Sequence, residues 1–258
     1  MNIEGKVVLI TGASSGIGLA TAREFAKAKS KVVLVARREA ILKDIENEIK
    51  SNNGYALAVC ADISDKYSVQ SIIRNIRNKF GRIDILINNA GIGINSAVSE
   101  IKIEDLRKVF EVNLFGPLYL IQEVLPLMIE QKKGLIVNIL SINARRTMPK
   151  AGGYSASKAA LMMLTDSLRM EIAIQNIKVI NVYPGFTLTS FSQNILGEKS
   201  KGRGKKFAIS PDRVGKAIIK AVKNEKRDVY VTLSDRILVG LAQTFPNFAD
   251  KVMRRLWL

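Results

Sequence analysis

The chain alternates between short runs that are apolar throughout and longer runs whose apolar positions recur every three or four residues. Runs of the first kind lie at 6–11, 31–36, 56–61, 83–88, 135–141, 178–183 and 228–232. They are rich in Val, Ile and Leu and lack strict alternation, which predicts strands buried on both faces of a parallel sheet. Runs of the second kind, at 16–29, 38–52, 65–80, 104–131, 154–175 and 211–224, predict helices. Two helix starts are readable: Ser64 as the cap of the third helix, and Ser210 as a cap followed by Pro211 in the first turn. Strand–helix alternation of this kind predicts an α/β fold: a single-domain, Rossmann-type doubly wound parallel sheet of about seven strands with helices on both faces.

The first strand runs into Thr11, Gly12, Ala13, Ser14, Ser15, Gly16, Ile17 and Gly18, where the first helix begins. Glycines suit such a turn physically. One permits a tight bend, one lets backbone approach a pyrophosphate, and one lets helix and strand pack closely. The helix start then offers free N–H groups to the anion. The spacing differs from G-x-G-x-x-G by extra residues after the first glycine. Residues 1–233 are accordingly expected to form a dinucleotide-binding and catalytic domain, with 234–258 as an amphipathic extension of it. The second strand ends at Ala36, followed by Arg37 and Arg38, with no acid to receive a ribose 2′-hydroxyl. A guanidinium there suits a 2′-phosphate, so the expected cofactor is NADP(H), with Arg37 as its main phosphate partner.

Further motifs follow in order. Asn88-Asn89-Ala90-Gly91 succeeds the fourth strand, Asn113 lies in the long helical region, and Ser141 ends the fifth strand. Tyr154-Ser155-Ala156-Ser157-Lys158 opens the next helix, and Pro184-Gly185 succeeds the sixth strand. This ordered set resembles the short-chain dehydrogenase/reductase family, in the subgroup with TGxxxGIG and YxxxK, over residues 5 to about 232. The resemblance implies hydride transfer between the cofactor and a carbonyl or alcohol carbon. Tyr154 would be the general acid/base, Lys158 its partner and a holder of the nicotinamide ribose, Ser141 a donor to the substrate oxygen, and Asn113 the support of a water-linked proton relay. It also implies cofactor contacts at Gly12, Ser14, Ser15, Gly16, Ile17, Gly18, Arg37, Arg38, Asp62, Ile63, Asn89, Ala90, Gly91, Pro184, Gly185, Thr187 and Thr189, besides Tyr154 and Lys158. A free tyrosine titrates near 10, and a neighbouring ammonium together with the positive charge of an oxidised nicotinamide should lower that value. Two long helices, at 104–131 and 154–175, are expected to build a homodimer or homotetramer.

The chain departs from the family after Ala144, where Arg145 and Arg146 replace the usual glycine, and at its end. The extension carries Ile237, Leu238, Leu241, Phe245, Phe248, Val252, Leu256 and Trp257 at helical spacing, interrupted by Pro246. Such a tail resembles that of members acting on lipophilic carbonyls. It is expected to cover the substrate pocket, join a subunit interface, or make peripheral membrane contact, in that order. The lid region, with Phe186, Leu188, Phe191, Ile195 and Leu196, predicts a hydrophobic pocket.

Composition narrows the chemistry. The 258 residues contain no histidine, which excludes an imidazole base and a serine-histidine-acid hydrolase. The single cysteine, Cys60, excludes an intrachain disulfide, and no metal site is expected. The net charge of +17 suggests acidic partners, yet no nucleic-acid-binding motif accompanies it, so nucleic acid is not expected. From Gly197 onward 15 Lys/Arg stand against 6 Asp/Glu, and 197–206 reads as a basic, glycine-rich mobile loop. With no charged-then-apolar leader and no run of about 18 apolar residues, the expected location is cytoplasmic. Two alternatives stand beside the main reading: a 3-oxoacyl thioester reductase, and a non-catalytic cofactor-sensing regulator.

Overall fold

A computed structural model of the protein describes residues 1–198 and 207–257. The loop expected at 197–206 therefore lies almost wholly outside the described residues. Seven parallel strands form the main sheet: β1 (Val7–Thr11), β2 (Lys31–Ala36), β3 (Tyr55–Cys60), β4 (Ile85–Asn88), β6 (Gly134–Ile139), β7 (Ile177–Tyr183) and β9 (Asp228–Tyr230). Their order is β3-β2-β1-β4-β6-β7-β9. The chain winds outward one way from β1 through β2 to β3, then returns to the other side of β1 for β4. The crevice beyond the C-terminal ends of β1 and β4 is thus the switch point where such sheets bind ligands.

The strands read as unbroken apolar runs because both faces are covered. In β1, Val8 and Ile10 join a core with Phe25 of α1 (Gly16–Lys27), Leu42 of α2 (Glu39–Ser51) and Ile218 of α7 (Pro211–Lys223). Val7 and Leu9 face the opposite core, with Ile72 of α3 (Lys66–Phe80), Leu120 of α5 (Gly116–Glu130) and Leu168 of α6 (Gly152–Glu171). Each fully buried side chain of this size contributes on the order of 1.5–3 kcal/mol.

Several expectations change. Asp65 rather than Ser64 caps α3, accepting from the N–H groups of Tyr67 and Ser68, while the Ser64 hydroxyl donates to Asp62. Ser210 does cap α7, accepting from Arg213 N at 3.3 Å. The single helix expected at 104–131 is α4 (Ile103–Phe110) and α5 joined by a π turn at Glu111–Phe115. Together they make 28 helical residues, long and apolar enough to cross a membrane by length and composition, contrary to the sequence expectation. Half of the most apolar window is buried in the protein, where α5 serves as a core helix. A second small sheet, absent from the strand prediction, pairs β5 (Gly93–Asn95) with β8 (Ile195–Gly197) in parallel. The extension folds as two helices, α8 (Leu233–Thr244) and α9 (Pro246–Trp257), with Pro246 opening the second.

Candidate active site

The turn between β1 and α1 is built on close approach. Gly12 and Gly16 take φ of +65° and +57°, a region that disfavours a Cβ. A Cβ on Gly18 would stand 2.3 Å from Gly12 O and 2.5 Å from Asn89 Nδ2. Thr11, which sequence reasoning passed over, fastens the turn to the fourth strand. Its hydroxyl donates to Ile87 O and accepts from Asn89 N at 3.0 Å and Ala90 N at 3.1 Å. Asn89 Nδ2 donates back to Thr11 O at 2.8 Å. Among the described residues no side chain caps α1, so its first N–H groups are open to an anion, as a dinucleotide pyrophosphate requires. Ile17 packs partly against one core, and Ile63 is buried in the other, lying against Gly116.

The two arginines after β2 separate. Arg38 reaches over the turn, donating to Ser14 Oγ at 2.9 Å and Ser15 Oγ at 3.1 Å. Arg37 points away, to an ion pair with Asp62 at 3.6 Å. Asp62 is held below the usual carboxylate range: burial raises it, but hydrogen bonds from the Ser64 N–H and hydroxyl, with Arg37 beside it, outweigh that. At the turn itself it is therefore Arg38 whose guanidinium reaches the serines, while Arg37 is engaged by Asp62.

At the other side of the crevice, α6 carries Tyr154 and Lys158 one helical turn apart. Tyr154 shares a hydrogen bond with Ser141, which caps a short turn at Ile142–Ala144. Lys158 is buried, and its Nζ donates to Ile139 O at 2.9 Å. Burial pushes the Tyr154 phenol up to about 12, with the Ser141 bond opposing, and pushes the Lys158 ammonium down to about 8. The expected lowering of the phenol by its lysine is therefore not what the chain's own groups produce, because desolvation dominates. Asn113 is fully buried inside the π turn. It clamps Ile92 by both backbone groups at 2.9 Å and donates to Ser157 Oγ at 3.0 Å. Gly91 lies against both Asn113 Oδ1 and Lys158 Nζ, so the expected relay residues meet at one glycine.

The short chain dehydrogenase profile matches residues 6–200. The ketoacyl reductase HetN of Nostoc sp. is 32% identical over 260 residues, spanning 98% of this chain and 89% of the relative. A short-chain dehydrogenase/reductase from Burkholderia phymatum, solved in complex with NAD, shares the fold at a TM-score of 0.88 with 24% identity, covering 96% of each chain. The alcohol dehydrogenase of Thermococcus sibiricus, complexed with 5-hydroxy-NADP, aligns at a TM-score of 0.79 with 27% identity, over 87% of this chain and 95% of that one. The chain belongs to the short-chain dehydrogenase/reductase family. It is therefore an oxidoreductase.

Two further features flank the site of this short-chain dehydrogenase/reductase. Arg145, after Ala144, donates to Tyr183 Oη at 3.0 Å and lies 5.1 Å over the same ring, which stacks on Tyr230. Tyr183 Oη donates in turn to Asp228, and desolvation with that carboxylate raises its phenol to about 12. The guanidinium thus braces the loop after Ser141 against β7 and β9. The second feature is the segment after Pro184-Gly185, which folds back over the crevice. Pro184 O accepts from Ile142 N, and Thr187 Oγ1 donates to Gly185 O. Thr189 lies against Gly16, Ser190 Oγ donates to Ser15 Oγ at 3.2 Å, and the Phe191 ring stands 5.7 Å from that of Tyr154. The sequence offered this lid's apolar character and, by resemblance, cofactor contacts at Thr187 and Thr189, but not its course. Its contacts with the glycine turn pair residues far apart in sequence.

Proposed function

We propose that the chain is an NADP(H)-dependent oxidoreductase acting on a carbonyl or alcohol carbon of a hydrophobic substrate, with Tyr154 as general acid/base. The observation that carries this reading is the convergence of Ser141 on Tyr154 one helical turn from the buried Lys158. The nicotinamide, when bound, gives or takes the hydride. The residues supply the rest. Ser141 orients the substrate oxygen, and Tyr154 Oη gives that oxygen a proton in reduction or removes one in oxidation. A phenol raised by burial favours the protonated form needed for reduction. Lys158 would hold the ribose end of the cofactor, and Asn113 fixes the backbone at Ile92. Phe191 beside Tyr154, with Ile195 against Gly93, gives the reaction space apolar walls.

For the cofactor, Arg38 bridges Ser14 and Ser15, and Asp62 is paired with Arg37. Both features favour a 2′-phosphate. Calorimetry with NADPH and NADH on wild type and Arg38→Ala tests this. NADPH should bind more tightly to wild type, and the substitution should weaken NADPH alone, by roughly 10- to 100-fold for a charge-assisted bond of about 1.5–3 kcal/mol. Equal affinities in wild type would remove the argument. Turnover across aliphatic and aromatic carbonyls and a 3-oxoacyl thioester then tests the substrate class. The thioester reading draws on the likeness to the Nostoc ketoacyl reductase. Phe115 and Ile129 around α5 and Met163, Leu164 and Met170 on α6 are large exposed apolar residues, which supports a two-fold dimer through these helices. Light scattering checks that assembly.

A further inference from the structure

The α8–α9 hairpin carries an outward surface of one composition. Leu233, Ile237 and Leu241 repeat at four-residue steps, Phe245 continues the series at the end of α8, and Phe248 follows across Pro246. All five are exposed, Leu233 and Phe248 at 70%. The opposite side, with Val239, Ala242 and Ala249, is buried against the protein. Fold packing has therefore satisfied the small residues and left the large ones in water, the reverse of an ordinary surface helix.

The charges are just as one-sided. Both acids of the hairpin are engaged with the body of the protein. Asp235, partly buried, lies against Gly185 and accepts from Thr232 Oγ1, and Asp250 is paired with Arg146. Arg236, Lys251, Arg254 and Arg255 are exposed and make no ion pair among the described residues. The hairpin thus offers solvent a stripe of aliphatic and aromatic side chains rimmed by cations that have no ion pair among the described residues.

We propose that this hairpin docks on an anionic lipid bilayer, its apolar stripe at the acyl boundary and its arginines and lysine among the headgroup phosphates. Apolar contact and positive charge on one element are what an interfacial helix requires. A second copy of the chain fits less well. A two-fold contact through this face would set like charges opposite each other on chains of net charge +17. The hairpin is also anchored beside the site: Gln243 Nε2 reaches Arg145 O at 3.5 Å, and Arg146 meets Asp250. Docking would hold the loop that follows Ser141 at the lipid surface.

Flotation of the full chain with vesicles of phosphatidylcholine alone, or phosphatidylcholine with phosphatidylglycerol, tests the proposal. Wild type should float with the anionic vesicles and at least about tenfold less with the neutral ones, and raising salt from about 0.1 M to about 0.5 M should weaken it. Ile237→Glu with Leu241→Glu, and separately Arg254→Glu with Arg255→Glu, should each abolish flotation. These positions are exposed, so thermal melts should match wild type. Equal flotation by wild type and both variants overturns the proposal, as does absence of flotation in wild type. If Ile237→Glu with Leu241→Glu instead yields a smaller oligomer by light scattering while wild type ignores vesicles, the face joins two copies and the lipid assignment falls.

Discussion

The turn after β1 and the hairpin after β9 make opposite use of their side chains. Around the turn almost every group is engaged: Thr11 and Asn89 exchange hydrogen bonds, Gly18 nests under Gly12, and Arg38 spans two serines. In the hairpin Leu233, Ile237, Leu241, Phe245 and Phe248 stand exposed. The contrast separates residues that build the protein from residues that await something else. A close-packed region should answer to the smallest change, an unpartnered one hardly at all.

The largest effect should come where packing and chemistry coincide. Tyr154→Phe removes one hydroxyl, and turnover should fall by about 100-fold or more while cofactor affinity holds. Steady-state kinetics with calorimetry checks this, and wild-type turnover would end the assignment. Lys158→Met should also lose turnover, but its stability should move the other way. The folded ammonium titrates near 8 against an ordinary 10.5, so between those values the unfolded chain binds more protons. Wild-type stability then rises with pH through that window. At pH 7 the buried charge costs about 3 kcal/mol, at 1.36 kcal/mol per pH unit. Urea melts at pH values from 7 to 10 should show the Met variant's advantage shrinking as pH rises, and a constant gap would refute the sign. Gly18→Ala comes next. A Cβ pressed between Gly12 O and Asn89 should cost roughly 1–3 kcal/mol of stability and weaken cofactor binding in the same protein, read by urea melts and calorimetry. Ile237→Ser in the hairpin should change the melt by no more than about 0.5 kcal/mol. A large loss there would mean that the stripe is packed after all and would erase the comparison.

Much of the turn was legible because its demands are local. Strand, glycines and helix start are consecutive, and Tyr154 and Lys158 share a helix face by spacing alone. What escaped depends on direction or distance. Arg37 and Arg38 are neighbours, and nothing in their order says which one turns to the serines and which to Asp62. Ser64 and Asp65 are both good caps, and the choice was made by Asp62 drawing the serine hydroxyl away. The pairing of β5 with β8 rests on three residues in each strand, too short for any periodicity. In the extension the apolar rhythm gave the helices, and Pro246 their division, but amphipathicity cannot say whether the apolar side faces inward. In α8 it is the small residues that do.

The π turn at Glu111–Phe115 amounts to one surplus residue inside an otherwise continuous helix. Removing a single residue there would leave a more regular rod, and one out of phase with its own protein. Each residue of α-helix advances the axis by about 1.5 Å and rotates it by about 100°. Everything downstream would swing by that angle. Leu120, Val124 and Met128, now buried under the sheet, would turn toward the flank, and Asn113 would lose its hold on Ile92. The surplus residue therefore acts as a phase shifter. It lets one helix present a polar side chain to the reaction crevice at its start and an apolar keel to the core along its length.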